Sequence, residues 1–135
     1  MKKLVFLALI FSSLQCYSQD VDQRLIANKG EAVNKAYTYN RNAYNYMLFE
    51  LDNSYVVMNK SELSKEEKQK VTKNHTIPSS AESTIGTTTF NLFSYGIQIS
   101  KTDRQYFELS NKKILVVYST PEISKAFKNS SLNTK

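Results

Sequence analysis

Apolar and polar positions recur along this chain with two periods, and the change between them divides it. Val21, Leu25, Ile26, Ala32, Val33 and Ala36 fall at broadly helical spacing. Gly30 interrupts them, so residues 19–36 read as one imperfect helix or two short ones. Residues 37–42 carry tyrosines in a spacing that suits a helix end or a strand, and they stay unassigned. From Tyr44 the period shortens. Met47, Phe49 and Leu51 alternate with Leu48 and Glu50, Asp52-Asn53-Ser54 turns the chain, and residues 55–58 return, which predicts a β-hairpin.

Beyond the hairpin, Ser64 with Glu67 three residues later forms a capping box that opens a helix through Val71. Residues 73–84 are mostly polar, contain Pro78 and read as a loop. Strands are predicted at 87–92, 95–100, 105–109 and 114–118. Thr120, Pro121 and Glu122 then start a short helix carrying Ile123, Ala126 and Phe127, because proline is preorganised for a first helical turn. Residues 129–135 have little to bury and are expected to fray as a polar tail. The pattern predicts a single α+β domain over residues 19–128: a mostly antiparallel sheet of five or six strands with the helices on one face. The expected core is Val33, Phe49, Leu51, Val57, Phe90, Ile97, Ile99, Phe107, Leu109, Leu115, Val117 and Phe127.

An internal echo suggests duplication. Phe49-Glu-Leu-Asp-Asn53 and Phe107-Glu-Leu-Ser-Asn111 are nearly the same pentapeptide. With two residues added to the second turn, Val56 and Val57 fall on Val116 and Val117, Glu62 on Glu122, Ser64 on Ser124, Lys65 on Lys125 and Lys68 on Lys128. A duplicated hairpin-plus-helix unit would give a pseudo-twofold sheet. Against it, the helix starts differ: Ser64 caps the first, while the second begins near Pro121, ahead of the equivalent Ser124.

The first eighteen residues change the picture more than composition does. Lys2 and Lys3 precede an apolar run at residues 4–11 and then a small, polar run at residues 12–18. This is the layout of a secretory signal peptide, with an apolar run too short to span a bilayer. Cleavage after Ser18 removes Cys16, the only cysteine, and with it thiol chemistry, a cysteine metal site and an internal disulfide. The alternative, lipidation at Cys16, is disfavoured by Gln15 where a small residue is wanted and Ser13 where an aliphatic one usually stands. An exported, disulfide-free domain points to a bacterial envelope, periplasmic or secreted.

The chain carries a formal charge of +6, and the excess gathers at the C-terminal end. Lys101, Arg104, Lys112, Lys113, Lys125, Lys128 and Lys135 face only Asp103, Glu108 and Glu122 there. Like charges do not run in blocks, so a solvated surface is the plainer reading. Nucleic acid is not an expected partner of a protein exported in this way.

Candidate chemistry is sparse. His75 is the only histidine and lies in the polar loop, with no second imidazole or thiol to complete a transition-metal site. Asp20 and Asp22 are too few oxygen ligands for calcium and suit a helix start instead. Gly30, Gly86 and Gly96 are isolated, which leaves no phosphate-binding loop. Glu50 and Glu108 occupy matching positions in the echo and could form a glycosidase-like acid–base pair, though strand alternation points both to solvent. No cofactor or metal is implied.

The strongest candidate surface is aromatic. Tyr37, Tyr39, Tyr44 and Tyr46 lie within ten residues, beside Asn40, Arg41, Asn42 and Asn45, a composition enriched at recognition surfaces. Tyr37, Tyr39, Arg41, Tyr44 and Tyr46 are therefore the expected partner-binding residues. The expectation is a small exported binding protein without catalytic chemistry, accessory, inhibitor or immunity-like, with a protein or glycan partner in the envelope. The alternative is a small envelope hydrolase using Glu50 and Glu108 or Asp103.

Overall fold

The computed structural model describes residues 21–133. The signal peptide expected at residues 1–18, with Cys16, and Asp20 lie outside the described residues.

Asp22 opens the first helix, α1 (Gln23–Lys29), by accepting from the Arg24 N–H at 2.9 Å. Gly30 closes it at φ +59, a conformation that favours glycine, and donates its N–H to the Ile26 carbonyl. Helices α2 (Glu31–Tyr39) and α3 (Arg41–Asn53) are joined by a single residue, Asn40. Its N–H donates to the Ala36 carbonyl at the end of α2, and its side chain accepts from Ala43 N at 3.0 Å at the start of α3. Leu25, Val33, Ala36, Tyr44 and Leu51 pack into one buried cluster, supported by Met47 and Leu48.

Helix α3 replaces the predicted strand at residues 44–51. Tyr44, Met47, Leu48 and Leu51 stand at i, i+3, i+4 and i+7, which is a helical face. The same stretch also offers the alternating set Met47, Phe49 and Leu51. The Asn40 cap and the neighbouring helices select the first set; Phe49 then turns to the other side, against Phe127.

The chain continues through β1 (Tyr55–Met58), a 3-10 turn (Lys60–Glu62), α4 (Lys65–Gln69), β2 (Thr72–Lys73) and α5 (Ser79–Glu82). A second 3-10 turn (Leu92–Tyr95), β3 (Gln105–Glu108), β4 (Ile114–Val117) and α6 (Thr120–Lys128) complete it. The strands form a four-stranded mixed sheet in the order β1-β4-β3-β2, with β4 antiparallel to β1 and β3, and β2 parallel to β3. The class is α+β as expected, but the sheet is smaller and less antiparallel than five or six strands. The predicted strands at 87–92 and 95–100 are absent. Gly86 and Gly96 sit at φ +88 and +74, and the Asn91 side chain accepts from Phe93 N to cap a 3-10 turn, so local turn chemistry breaks both runs.

Their apolar residues are buried nonetheless. Ile77, Phe90, Leu92 and Ile97 cover the sheet face presented by Leu115 and Val117. The opposite face, with Tyr106, Ile114 and Val116, packs against Leu63 and Val71 at either side of α4. Every residue of β4 is therefore buried, as expected of a central strand covered on both sides. Layers on both faces replace the predicted arrangement of helices on one. Helix α6 docks on α3, where Phe127 meets the rings of Tyr46 and Phe49.

The internal echo survives only in part. Phe49 to Asn53 end a helix, whereas Phe107 and Glu108 belong to a strand, so the hairpin was not duplicated. The following segments do correspond. Val56 pairs with its echo Val116, flanked by Tyr55 with Val117 and Val57 with Leu115, a register symmetric about the Val56–Val116 pair. Each strand then runs into a capping box, Asn59 with Glu62 and Ser119 with Glu122. A buried Leu63 or Ile123 follows each box. The objection from unequal helix starts therefore disappears: the equivalent caps are Asn59 and Ser119.

After α6, residues 129–133 form turns, and the Leu132 carbonyl accepts from the Asn45 side chain at 2.8 Å. Among the described residues, no helix is long and apolar enough to cross a membrane.

Candidate functional site

The aromatic run folds into the corner between α2 and α3, and the corner divides its residues into two groups. Tyr44 is 4% exposed; its hydroxyl accepts from Asp22 N at 3.0 Å, and its ring meets Tyr37 edge-on at 5.0 Å. It belongs to the helical core. Tyr46 faces α6, with its hydroxyl 3.3 Å from Ser124 Oγ and its ring edge-on to Phe127 at 5.3 Å. These two tyrosines hold helices together.

Tyr39 and Arg41 remain exposed, and Tyr37 lies half-buried against the helical cluster beneath Arg41. Tyr39 is 86% exposed, the largest value among the exposed large hydrophobic side chains. The Arg41 guanidinium carbon lies 4.1 Å from the Tyr37 ring centroid and 5.8 Å from that of Tyr44. Such stacking fixes the plane of the guanidinium and leaves its N–H fork available for a planar anion. Arg41 is also the first residue of α3, at the positive end of the helix dipole, where a cation is mildly unfavourable. Helix stability therefore gives no reason for its presence.

The chain's other two arginines are occupied. Arg24 holds Asp22 at 2.7 Å and Asp52 at 3.0 Å. The hydrogen bond from Arg24 holds the Asp22 carboxyl below its usual range. Arg104 holds Glu122 at 2.6 Å and Glu67 at 3.4 Å, with its guanidinium over the Tyr118 ring at 5.3 Å. Both glutamates also close capping boxes, Glu67 on Ser64 and Glu122 on Ser119, so one guanidinium ties together the starts of two helices. Glu67 is held below its ordinary pKa by the Ser64 N–H and the Tyr106 hydroxyl, with Arg104 adding attraction. Partial burial of Glu122 works in the opposite direction, but its bonds from Ser119 and Arg104 prevail and lower it. Tyr106 is raised by burial and by the adjacent Glu67 carboxylate. Arg41 has no carboxylate partner among the described residues.

The paired-carboxylate alternative finds its residues apart. Glu50 lies on α3 and binds Lys29 at 3.0 Å. Glu108 lies on β3, with Lys60 at 3.7 Å. A hollow of about 240 Å³ takes in Glu108, His75, Glu82 and Ser110 but not Glu50. Within it Glu82 accepts from both the N–H and the hydroxyl of Ser110 and from Asn74, which holds its carboxyl down against the opposing effect of burial. Its bonds fasten the β3–β4 turn to α5. His75 is exposed. Asp103 is exposed and accepts from the Thr102 hydroxyl. Asp22 caps α1 and pairs with Arg24; Asp20 lies outside the described residues. Among the described residues, no group of three histidine, cysteine, aspartate or glutamate side chains is placed to hold a metal ion.

Sequence reasoning located the aromatic run but could not separate its members, because a strand and a helix distribute Tyr37 to Tyr46 over different faces. It missed the Arg104 bridge altogether. The available signal was the second capping box, Ser119-x-x-Glu122, in the same pattern as Ser64-x-x-Glu67. No protein-family model matches this chain, and no curated protein and no solved structure is significantly similar to it.

Proposed function

We propose that this protein is a small exported interaction module of the bacterial envelope, and that it grips a carboxylate-bearing protein partner at the corner formed by Tyr37, Tyr39 and Arg41. The observation that carries this reading is the Arg41 guanidinium, placed over Tyr37 near the exposed Tyr39 and, among the described residues, without a carboxylate of the kind that occupies Arg24 and Arg104. Arginine and tyrosine are among the residue types enriched at the energetic centres of interfaces. The export part of the reading rests on residues 1–18. Separate lysines on Glu50 and Glu108 give no support to the hydrolase alternative.

The experiment is crosslinking in intact envelopes from a photoreactive residue placed at Tyr39, followed by identification of the captured protein and titration with it. Arg41→Ala and Tyr39→Ser should each weaken that interaction by about tenfold or more while leaving the melting temperature in place. Acidic residues on the partner should reproduce the loss when neutralised. Unchanged affinity in both variants would remove the corner from the interface.

A further inference from the structure

The two edges of the sheet are built differently. The β2 edge is two residues long, exposed, and ends in Lys73, features that discourage pairing with another chain. The β1 edge is four residues long, Tyr55-Val-Val-Met58, with no charge, proline or glycine. Its hydrogen-bonding direction follows from the register. Tyr118 N donates to the Ser54 carbonyl at 2.8 Å, so Ser54, Val56 and Met58 turn their backbone groups toward β4. Tyr55 and Val57 must then turn theirs outward. Outside the ladder with β4, no hydrogen bond among the described residues engages the N–H or carbonyl of either.

We infer that this edge pairs with the β1 edge of a second copy of the chain, antiparallel and centred on Val56, joining two four-stranded sheets into one. Two observations select a second copy. First, the twofold register places Tyr55 opposite the partner copy's Val57 and Val57 opposite its Tyr55. Both outward pairs can then exchange N–H···O bonds, and no outward group of the strand is left over. Second, the side-chain pairs that result, Tyr–Val, Val–Val and Val–Tyr, nearly repeat the ladder that β1 already forms with β4. That ladder is Tyr55 with Val117, Val56 with Val116 and Val57 with Leu115. The sequence echo between the two strands thus makes β1 complementary to itself. The inference is independent of the Tyr37–Arg41 corner.

Sedimentation velocity of the purified chain across a concentration series tests the inference, with hydrogen exchange read at single amides. A dimer is expected, with Tyr55 and Val57 amides gaining protection as concentration rises while Val56 and Met58 stay protected throughout. Val57→Pro removes one outward N–H from each copy without touching a bond within the sheet. It should weaken the dimer by on the order of tenfold or more. Val57→Thr, which keeps the N–H and the shape, should retain it. Should Val57→Pro not fold, the wild-type exchange pattern still decides. A monomer at all concentrations, with rapid exchange at Tyr55 and Val57, overturns the inference. So does a dimer whose formation leaves those two amides unprotected, or protection that arises only when an extended segment of another protein is added.

Discussion

Arg41 and Arg104 begin from the same chemistry and end in opposite roles. Each lays its guanidinium over a tyrosine, Tyr37 or Tyr118. Arg104 is then saturated by Glu67 and Glu122, which are themselves bound to the first turns of α4 and α6. Its surroundings account for all of it: the charge joins two helix starts on one side of the sheet. Arg41 stands at the beginning of a helix that would be slightly more stable without it, and its fork meets no carboxylate among the described residues. The contrast separates a cation the fold uses from one the fold merely carries, and the second kind is where binding is to be sought.

The sharpest division runs through the tyrosines. Tyr44→Ala should lower stability by about 3–5 kcal/mol, because it empties a buried ring-sized space and leaves Asp22 N without its acceptor. Tyr39→Ala, at an 86% exposed position, should leave denaturant midpoints almost unchanged. Comparable losses in the two variants would show that the corner is a structural element throughout.

Arg104→Ala should cost about 1–2 kcal/mol in chemical denaturation, a value kept modest by partial exposure of the pairs but raised by their being a network. Glu122→Gln should lose less than Glu122→Ala, since glutamine still closes a capping box while giving up the ion pair. A Glu122→Gln variant as stable as the wild type would mean that Arg104 contributes nothing through Glu122.

Acid provides the next test. Glu67 and Glu122 have native pKa values below the ordinary glutamate value, so the unfolded chain binds more protons than the native one as pH falls. The stability they contribute is fully present above about pH 4.3 and is lost below it. Part of the acid limb should flatten in Arg104→Ala, while the share from Glu82, held by Ser110 and Asn74, should persist. Arg41→Ala should leave the acid limb as in the wild type.

The smallest expected effect on stability is that of Arg41→Ala itself, under about 0.5 kcal/mol and of either sign, read by thermal denaturation. Its effect should appear instead in partner affinity and in the salt dependence of association. An unfolding cost approaching that of Arg104→Ala would place the two arginines in one structural class.

Much of the second half of the molecule was legible in the chain. The Ser64–Glu67 and Pro121–Glu122 signals mark helix starts that depend on bonds within a single turn, and residues 105–109 and 114–118 contain real strands. Such features are local, so sequence determines them. Core positions were also readable where the element was misjudged: Phe90 and Ile97 are buried although they lie in turns and irregular chain, because burial follows hydrophobicity more directly than backbone geometry does. Residues 44–51 were not legible, since a period of two and a period of 3.6 both fit their apolar set. The Asn40 cap and contact with Leu25, Val33 and Ala36 favour the helix.

The candidate site follows the same rule. The sequence by itself determined that aromatic and basic groups would gather between Tyr37 and Tyr46, and that two near-identical valine strands would precede two capping boxes. Tertiary structure alone decided that Tyr44 and Tyr46 turn inward, that Arg104 finds its carboxylates, and that Arg41 finds none among the described residues. Among the described residues, it also decided that β4 lies inside the sheet and β1 at its edge. The physical reason is reach: caps and strand propensities act over a few residues, whereas the partner of a guanidinium or of an outward N–H is fixed by elements that meet only once the chain has closed on itself.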